Sequence, residues 1–123
     1  MKNKMNPSKV YNLLKQIPRG RVTTYKGLAQ ALHTEAYRAI GQILKKNPDA
    51  PAVPCHRVVK SDGTIGGYMG VESSASCKRK KKILMGEGIE FDGNKVKNFE
   101  KVFFQPTLTF PNLSGIMNYY YLS

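Results

Sequence analysis

Three stretches of one periodicity, crowded into the first 46 residues, constrain this chain more than any other feature. Val10, Leu13, Leu14 and Ile17 stand at i, i+3, i+4 and i+7, which puts them on one face of a helix over residues 6–17 that Pro18-Arg19-Gly20 stops. After a short extended piece, Arg21 to Thr23, the set Tyr25, Leu28, Ala29 and Leu32 repeats the spacing, with Thr23 or Thr24 as N-cap and His33 near the helix end. Ala36, Ala39, Ile40 and Ile43 repeat it again, with Thr34 as cap and Asn47-Pro48 as stop. Two short helices joined by about three residues read as a helix-turn-helix.

A chain of 123 residues has room for one domain with a modest core and too little for two. Lys and Arg number 20 against 8 acidic residues, a net charge of +12. That field favours anionic partners, nucleic acid first, with a merely soluble basic protein as the plain alternative. Distribution decides between them: residues 1–46 hold ten of the basic residues and a single acid, Glu35. On the outer face of the third helix, Arg38, Gln42 and Lys45 lie at i, i+4 and i+7, with Tyr37 and Gly41 beside them and Lys46 following. Arg and Lys suit phosphates, Gln suits base edges, and glycine permits close approach. A solvated face is the competing reading of any basic helix; the concentration of charge on this half tips the reading towards DNA.

The second half carries the chemistry. Pro54-Cys55-His56-Arg57-Val58-Val59 places a nucleophile, a base and a cation in succession. A neighbouring imidazole or cation is what lowers a thiol pKa from about 8.5, so Cys55 reads as a candidate reactive cysteine; a buried hydrophobe is the bland alternative. Arg57 to Val59 reads as a short buried strand, Ser61-Asp62-Gly63-Thr64 as a hairpin turn, and the glycine-rich Ile65 to Gly70 as a pocket wall. Ser73 to Gly86 reads as a fourth helix with serine caps, its pattern interrupted by Lys78-Arg79-Lys80-Lys81-Lys82, with Cys77 and Leu84 sharing a core face. Ile89 to Phe91 and Lys95 to Lys97 read as short arms around Asp92-Gly93-Asn94. Beyond Phe99 the tail is aromatic and nearly uncharged; it packs on the domain, pairs with a second copy or stays disordered. Two cysteines without a signal-like N-terminus fit a reducing cytoplasm, no apolar run is long enough for a bilayer, and no cluster has structural-zinc spacing.

In this order the motifs strongly resemble the O6-alkylguanine-DNA alkyltransferases: a basic helix-turn-helix headed by Tyr25, Arg38-Ala39-Ile40-Gly41, Asn47-Pro48, Pro-Cys-His-Arg-Val-Val at 54–59, the Gly-Tyr loop, and Glu87-Gly88. The resemblance runs from about Val10 to Val96. It implies a mainly α, winged-helix-like domain over residues 1–98, with a helix-turn-helix and short strands, and an unassigned tail over 99–123. It also implies double-stranded DNA containing O6-alkylguanine as partner, no cofactor, no metal, no membrane, a monomer, and a cytoplasmic or nucleoid setting. The implied reaction is irreversible transfer of the alkyl group from a flipped guanine to Cys55, with one turnover per molecule. By the same resemblance His56 deprotonates Cys55 through a water and Glu87 orients the imidazole. Tyr25 presses on the phosphate and meets the flipped base, Arg38 fills the vacated stack, and Gln42 faces the DNA. Asn47 braces the active-site loop, while the Val58 carbonyl and the Tyr68-Met69 segment line the guanine pocket.

Some positions depart from the family's usual pattern. Met69 stands where small or hydroxylated residues are usual, Gly86 precedes Glu87 where His is common, and about nine residues precede the first helix where relatives often carry another domain. Three rivals follow: an alkyltransferase-like sensor, a class in which the cysteine is replaced; a winged-helix transcription regulator with a fortuitous thiol; and a cysteine hydrolase, which adjacent Cys and His suit less than a water relay because they do not easily form a direct hydrogen-bonded pair.

Overall fold

A computed structural model describes residues 5–67 and 73–108. Within them the chain forms five α-helices and two small sheets: α1 (Pro7–Gln16), β1 (Thr23–Thr24), α2 (Tyr25–Ala31), α3 (Tyr37–Lys45), β2 (Val58–Val59), α4 (Ser74–Gly86), β3 (Phe91–Asp92), β4 (Lys95–Val96) and α5 (Phe99–Val102). The mainly α helix-turn-helix expectation holds.

Local chemistry sets the helix ends. Asn6 caps α1 by accepting from the Ser8 amide, with Pro7 at the first helical position, where a missing N–H costs nothing. Thr24 caps α2 through the Gly27 amide, and Ser73 caps α4 through the Ser76 amide. The start of α3 differs from expectation: Thr34 accepts from the Ala36 amide outside the helix, and the first turn has no side-chain cap. His33 sits at φ 54° in the turn that separates α2 from α3.

The face α1 buries is the one its spacing marks: Val10, Leu13, Leu14 and Ile17 are all within the core. They meet Leu28 and Ala29 of α2, Ile40 and Leu44 of α3, and Val53, Cys55 and Val58. In α3 the buried residues are Ile40 and Leu44, while Ala36 is exposed, so this helix is turned relative to the set read from periodicity. The Tyr11 hydroxyl, donating to the Ile43 carbonyl at 2.9 Å, ties α1 to α3. Each fully buried Leu or Ile contributes about 1.5–3 kcal/mol, so the helix-turn-helix is held by this shared core rather than by helix propensity. Gly27 is required by contact: a Cβ there would lie 2.7 Å from Thr23 Oγ1, where α2 folds back on β1.

The strand pairing was not foreseen. β1 pairs in parallel with β2, Thr23 beside Val58 and Thr24 beside Val59, which pins the active-site segment to the head of α2. β3 and β4 pair antiparallel, one residue from the expected arms, over a second cluster of Val22, Val59, Leu84, Ile89 and Val96. Of the three fates open to the chain after residue 98, residues 99–108 take the first and pack on the domain. The Phe104 amide donates to the Val22 carbonyl at 2.7 Å, Gln105 Nε2 to the Gly27 carbonyl at 2.8 Å, and Gln16 pairs with the Thr107 backbone. Tyr68, Met69 and the aromatic residues from Phe110 onward lie outside the described residues.

Candidate active site and nucleic-acid interface

Cys55 opens a 3-10 turn, Cys55–Arg57, that leads directly into β2. The turn is short because parallel pairing with β1 captures the next two residues. It leaves Cys55 and His56 facing the interior, 6% and 1% exposed. Burial pushes the Cys55 thiol above its ordinary value, against the lowering by a hydrogen bond from Asn47, the Lys80 charge and the backbone. This corrects the expectation of a thiol pKa lowered by its neighbours: desolvation outweighs them, and the sulfur rests protonated.

His56 donates from Nε2 to Glu87 Oε2 at 2.9 Å. Burial lowers the imidazole pKa, and the hydrogen bond and charge of Glu87 only partly offset this, so the ring is neutral. The contact is therefore a hydrogen bond from a neutral ring, with the proton on Nε2 and a lone pair on Nδ1. Nδ1 is buried and has no hydrogen-bond partner among the described residues. A buried polar atom in that state is rare and marks a base available for a proton.

Glu87 caps the C-terminus of α4. Burial raises its pKa, but hydrogen bonds and charge from Arg57 and His56 outweigh that and hold the carboxyl below its ordinary value. Arg57 grips it with two bonds, Nε to Oε1 at 2.9 Å and Nη2 to Oε2 at 2.8 Å, and spends Nη1 on the Ile17 carbonyl at 2.7 Å. A planar guanidinium meeting a carboxylate through two parallel bonds fixes both groups. The ends of α1 and α4 are thereby joined through the site, and Arg19 adds a bond to the Gly86 carbonyl at 2.8 Å.

His56, Glu87 and Arg57 thus form one hydrogen-bonded chain; Cys55 precedes His56 in the same 3-10 turn, and Asn47 bonds to its thiol. Asn47 is buried, donates to the Val53 carbonyl at 2.7 Å and accepts from the Asp49 amide at 3.0 Å, bracing the loop that delivers Cys55. Sequence reasoning missed two participants. Arg57 was read as a cation acting on the thiol; it acts on Glu87. Lys80 was read as part of a run; it is 1% exposed and donates to the Val58 carbonyl at 2.6 Å and the Gly67 carbonyl at 2.9 Å. The signal was present: Lys80 shares a helical face with Cys77 and Leu84, so a charge there must be buried and partnered. Cys77, expected in the core, is half-buried, with its thiol donating to the Gly66 carbonyl at 3.1 Å. Gly66 stands at φ 70°, in the left-handed region that favours glycine.

Of the residues read as DNA-facing, Arg38 and Gln42 are exposed on α3, and Tyr37 beside them is 47% exposed. Tyr25 is half-buried against the core at the head of α2. Val58 is fully buried, and its carbonyl already accepts from Lys80.

The core of the helix-turn-helix thus encloses a cysteine, next to a neutral histidine held by a clamped glutamate. The chain belongs to the 6-O-methylguanine DNA methyltransferase family: the model of that family's DNA binding domain matches residues 6–89. It is 40% identical over 99 residues to a bifunctional methyltransferase/endonuclease of Thermoplasma volcanium, covering 80% of this chain and 30% of that protein. It is 47% identical over 83 residues to a methylated-DNA–protein-cysteine methyltransferase of Thermococcus kodakarensis, covering 67% of this chain and 44% of that one. The chain therefore spans less than half the length of these relatives. Among solved structures, S. pombe Atl1 in complex with damaged DNA containing O6-carboxymethylguanine superposes with a TM-score of 0.68 at 32% identity, covering 86% of this chain and all of that one. The O6-methylguanine-DNA methyltransferase of Pyrococcus kodakaraensis gives 0.57 at 45% identity, covering 68% and 46%.

Proposed function

We propose that this domain repairs double-stranded DNA by taking the alkyl group of O6-alkylguanine irreversibly onto Cys55. The single observation that carries the reading is the part-buried chain Arg57–Glu87–His56, which ends on a buried Nδ1 with no partner among the described residues, in the same 3-10 turn as a protonated thiol, in a member of this family. Its relatives' names and the neighbour bound to alkylated DNA point the same way.

The chemistry follows from the tautomer. With Nε2–H committed to Glu87, Nδ1 is the ring's remaining base, and a bridging water passes it the Cys55 proton as sulfur attacks the alkyl carbon. The C–O bond breaks, its electron pair stays on guanine O6, and the guanine recovers a proton as the ordinary base. Imidazolium beside a clamped carboxylate is stabilised at the moment it forms. The thioether left on Cys55 has no base or water able to cleave it, so each molecule turns over once. A thiol kept protonated until the alkyl group is in place suits a reagent that is spent on first use.

Docking falls to the outer face of α3, with Arg38 filling the gap left by the extruded nucleotide, Gln42 facing the groove and Tyr25 at the phosphate and flipped base. Asn47 holds the loop, and the second lone pair of the Val58 carbonyl, with the Tyr68-Met69 segment, receives the guanine. Flipping is needed because O6 is out of reach of a buried thiol while the base is stacked.

The test is transfer of labelled methyl from DNA carrying O6-methylguanine to the protein, run beside Cys55→Ala. Label on the wild type alone supports the reading. Equal binding of alkylated DNA by both proteins with label on neither supports the sensor reading, which the full-length match to Atl1 favours and the presence of Cys55 opposes.

A further inference from the structure

The basic run of α4 is only partly absorbed by the site. Lys80 points inward, and Lys81 donates to the Gly93 carbonyl at 2.7 Å with its ammonium 5.5 Å from the Phe91 ring centroid. Lys78, Arg79 and Lys82 are exposed and have no hydrogen bond or ion pair among the described residues. At 100° per residue, Lys78 and Lys82 lie on the side of α4 directly opposite Lys80, with Arg79 to one flank and Met85, 55% exposed, to the other.

The stripe carries one sign only. α4, SASCKRKKKILMG, contains no Asp or Glu, and both ion pairs among the described residues end on Glu87, on the inner side. Lys78 and Lys82 at i and i+4 repel each other and weaken the helix. A surface built only for solubility intersperses both signs; a one-signed stripe raises a field. On the neighbouring hairpin Glu90 and Asp92 offset Lys95 and Lys97, so among the described residues the uncompensated charge is that of α4 itself. It is a different surface from the outer face of α3: α3 packs on α2 and α1, whereas α4 packs on the Cys55–Arg57 turn.

We propose that the outer face of α4 is a second nucleic-acid contact surface, on which Lys78, Arg79 and Lys82 take backbone phosphates outside the reach of α3. Lys78 and Lys82 are separated by about 6 Å along the helix axis, a span of about two phosphates of one strand. Two lysine ammonium groups and a guanidinium that can take a phosphate through two bonds suit a phosphate backbone. The surface extends the proposed function by adding affinity for DNA around the lesion, and so it rests on that reading for its biological sense.

The test uses the whole chain and its Lys78→Gln/Arg79→Gln/Lys82→Gln variant, after equal melting temperatures show that both fold. Trace labelled undamaged duplexes of about 12 and about 40 base pairs, roughly one and four helical turns, are titrated at several salt concentrations. On the long duplex the slope of log Kd against log salt is expected to fall by about 2–3 in the variant, one counterion-release step per lost contact, with no change on the short one. Equal slopes on the long duplex overturn the proposal, and so does an equal fall on both lengths, which would merge this surface with that of α3. Methyl transfer from a separate short duplex of the same length that carries O6-methylguanine, measured on both proteins, separates the two claims. Transfer with equal slopes defeats this inference alone, and a slope difference without transfer defeats the repair reading alone.

Discussion

Two regions of this domain handle charge in opposite ways. Around Cys55 the charged and polar groups are buried and specify one another: Arg57 fixes Glu87, Glu87 fixes the tautomer of His56, and Lys80 pins two carbonyls of the surrounding wall. On the outer face of α3 they are exposed and independent, with Arg38, Gln42 and Tyr37 in solvent and no atom within 4 Å of where a Gly41 Cβ would stand. The buried region can hold a pKa away from its ordinary value because water does not screen it; the exposed region can attract a polyanion because water and partner can reach it. On the proposed function, chemistry belongs to the first and encounter to the second, so substitutions in the two should fail in different ways.

Cys55→Ala should make the sharpest division. Alkyl transfer is expected to vanish while duplex affinity, measured by fluorescence anisotropy, stays unchanged. Arg57→Ala comes next: it leaves the Glu87 carboxylate buried without its clamp, a loss of about 3–5 kcal/mol of stability by urea unfolding. Arg38→Ala, by contrast, should alter stability by less than about 0.5 kcal/mol. It should nevertheless slow transfer from duplex DNA far more than it weakens docking. If Arg38→Ala destabilised as much as Arg57→Ala, the contrast between the regions would be broken.

Acid should find the buried region first. The His56 pKa in the fold lies below 6.5, so in the window from 6.5 down to that lower value the unfolded chain binds a proton that the folded chain does not. Stability is therefore full above 6.5 and falls as pH drops through that window. Glu87, held below 4.5, contributes stability above 4.5 that is lost as pH falls through its own lower value. Urea unfolding at a series of pH values should show both losses in the wild type and only the second in His56→Gln. The transfer rate should decline as pH falls below 6.5 and the ring takes up its proton. The smallest effect is expected on α3, where Lys45→Gln should lower the salt slope of binding by about 0.9 and leave the pH profile alone.

The same contrast explains what could be read from the chain. Helix α1 was legible because Val10, Leu13, Leu14 and Ile17 repeat at the helical period and all are buried, and the helix-turn-helix after it was legible through Leu28, Ala29 and Ile40, which do the same. The pairing of His56 with Glu87 was legible through motif resemblance, since 31 residues separate them and no periodicity links them. The parallel pairing of β1 with β2 was not legible, because two-residue strands show no alternation and their partner is set by tertiary packing. The burial of Lys80 was hidden by four basic neighbours that mask its place on the apolar face. The raised thiol pKa was misjudged because adjacency in sequence says nothing of desolvation, the largest influence on Cys55. The packing of residues 99–108 rests on backbone bonds to Val22, which any sequence could supply, and on the Gln105 side chain reaching the Gly27 carbonyl, which no periodicity marks.

The central claim is that Cys55 is a single-use alkyl acceptor, and intact-protein mass followed by peptide mapping tests it most directly. After incubation of reduced protein with excess duplex containing O6-methylguanine, the account predicts a gain of one methyl group per molecule, located on the peptide bearing Cys55, with no further turnover. An unchanged mass in reduced, folded protein that binds the DNA, or a methyl group placed on Cys77 instead, would contradict it.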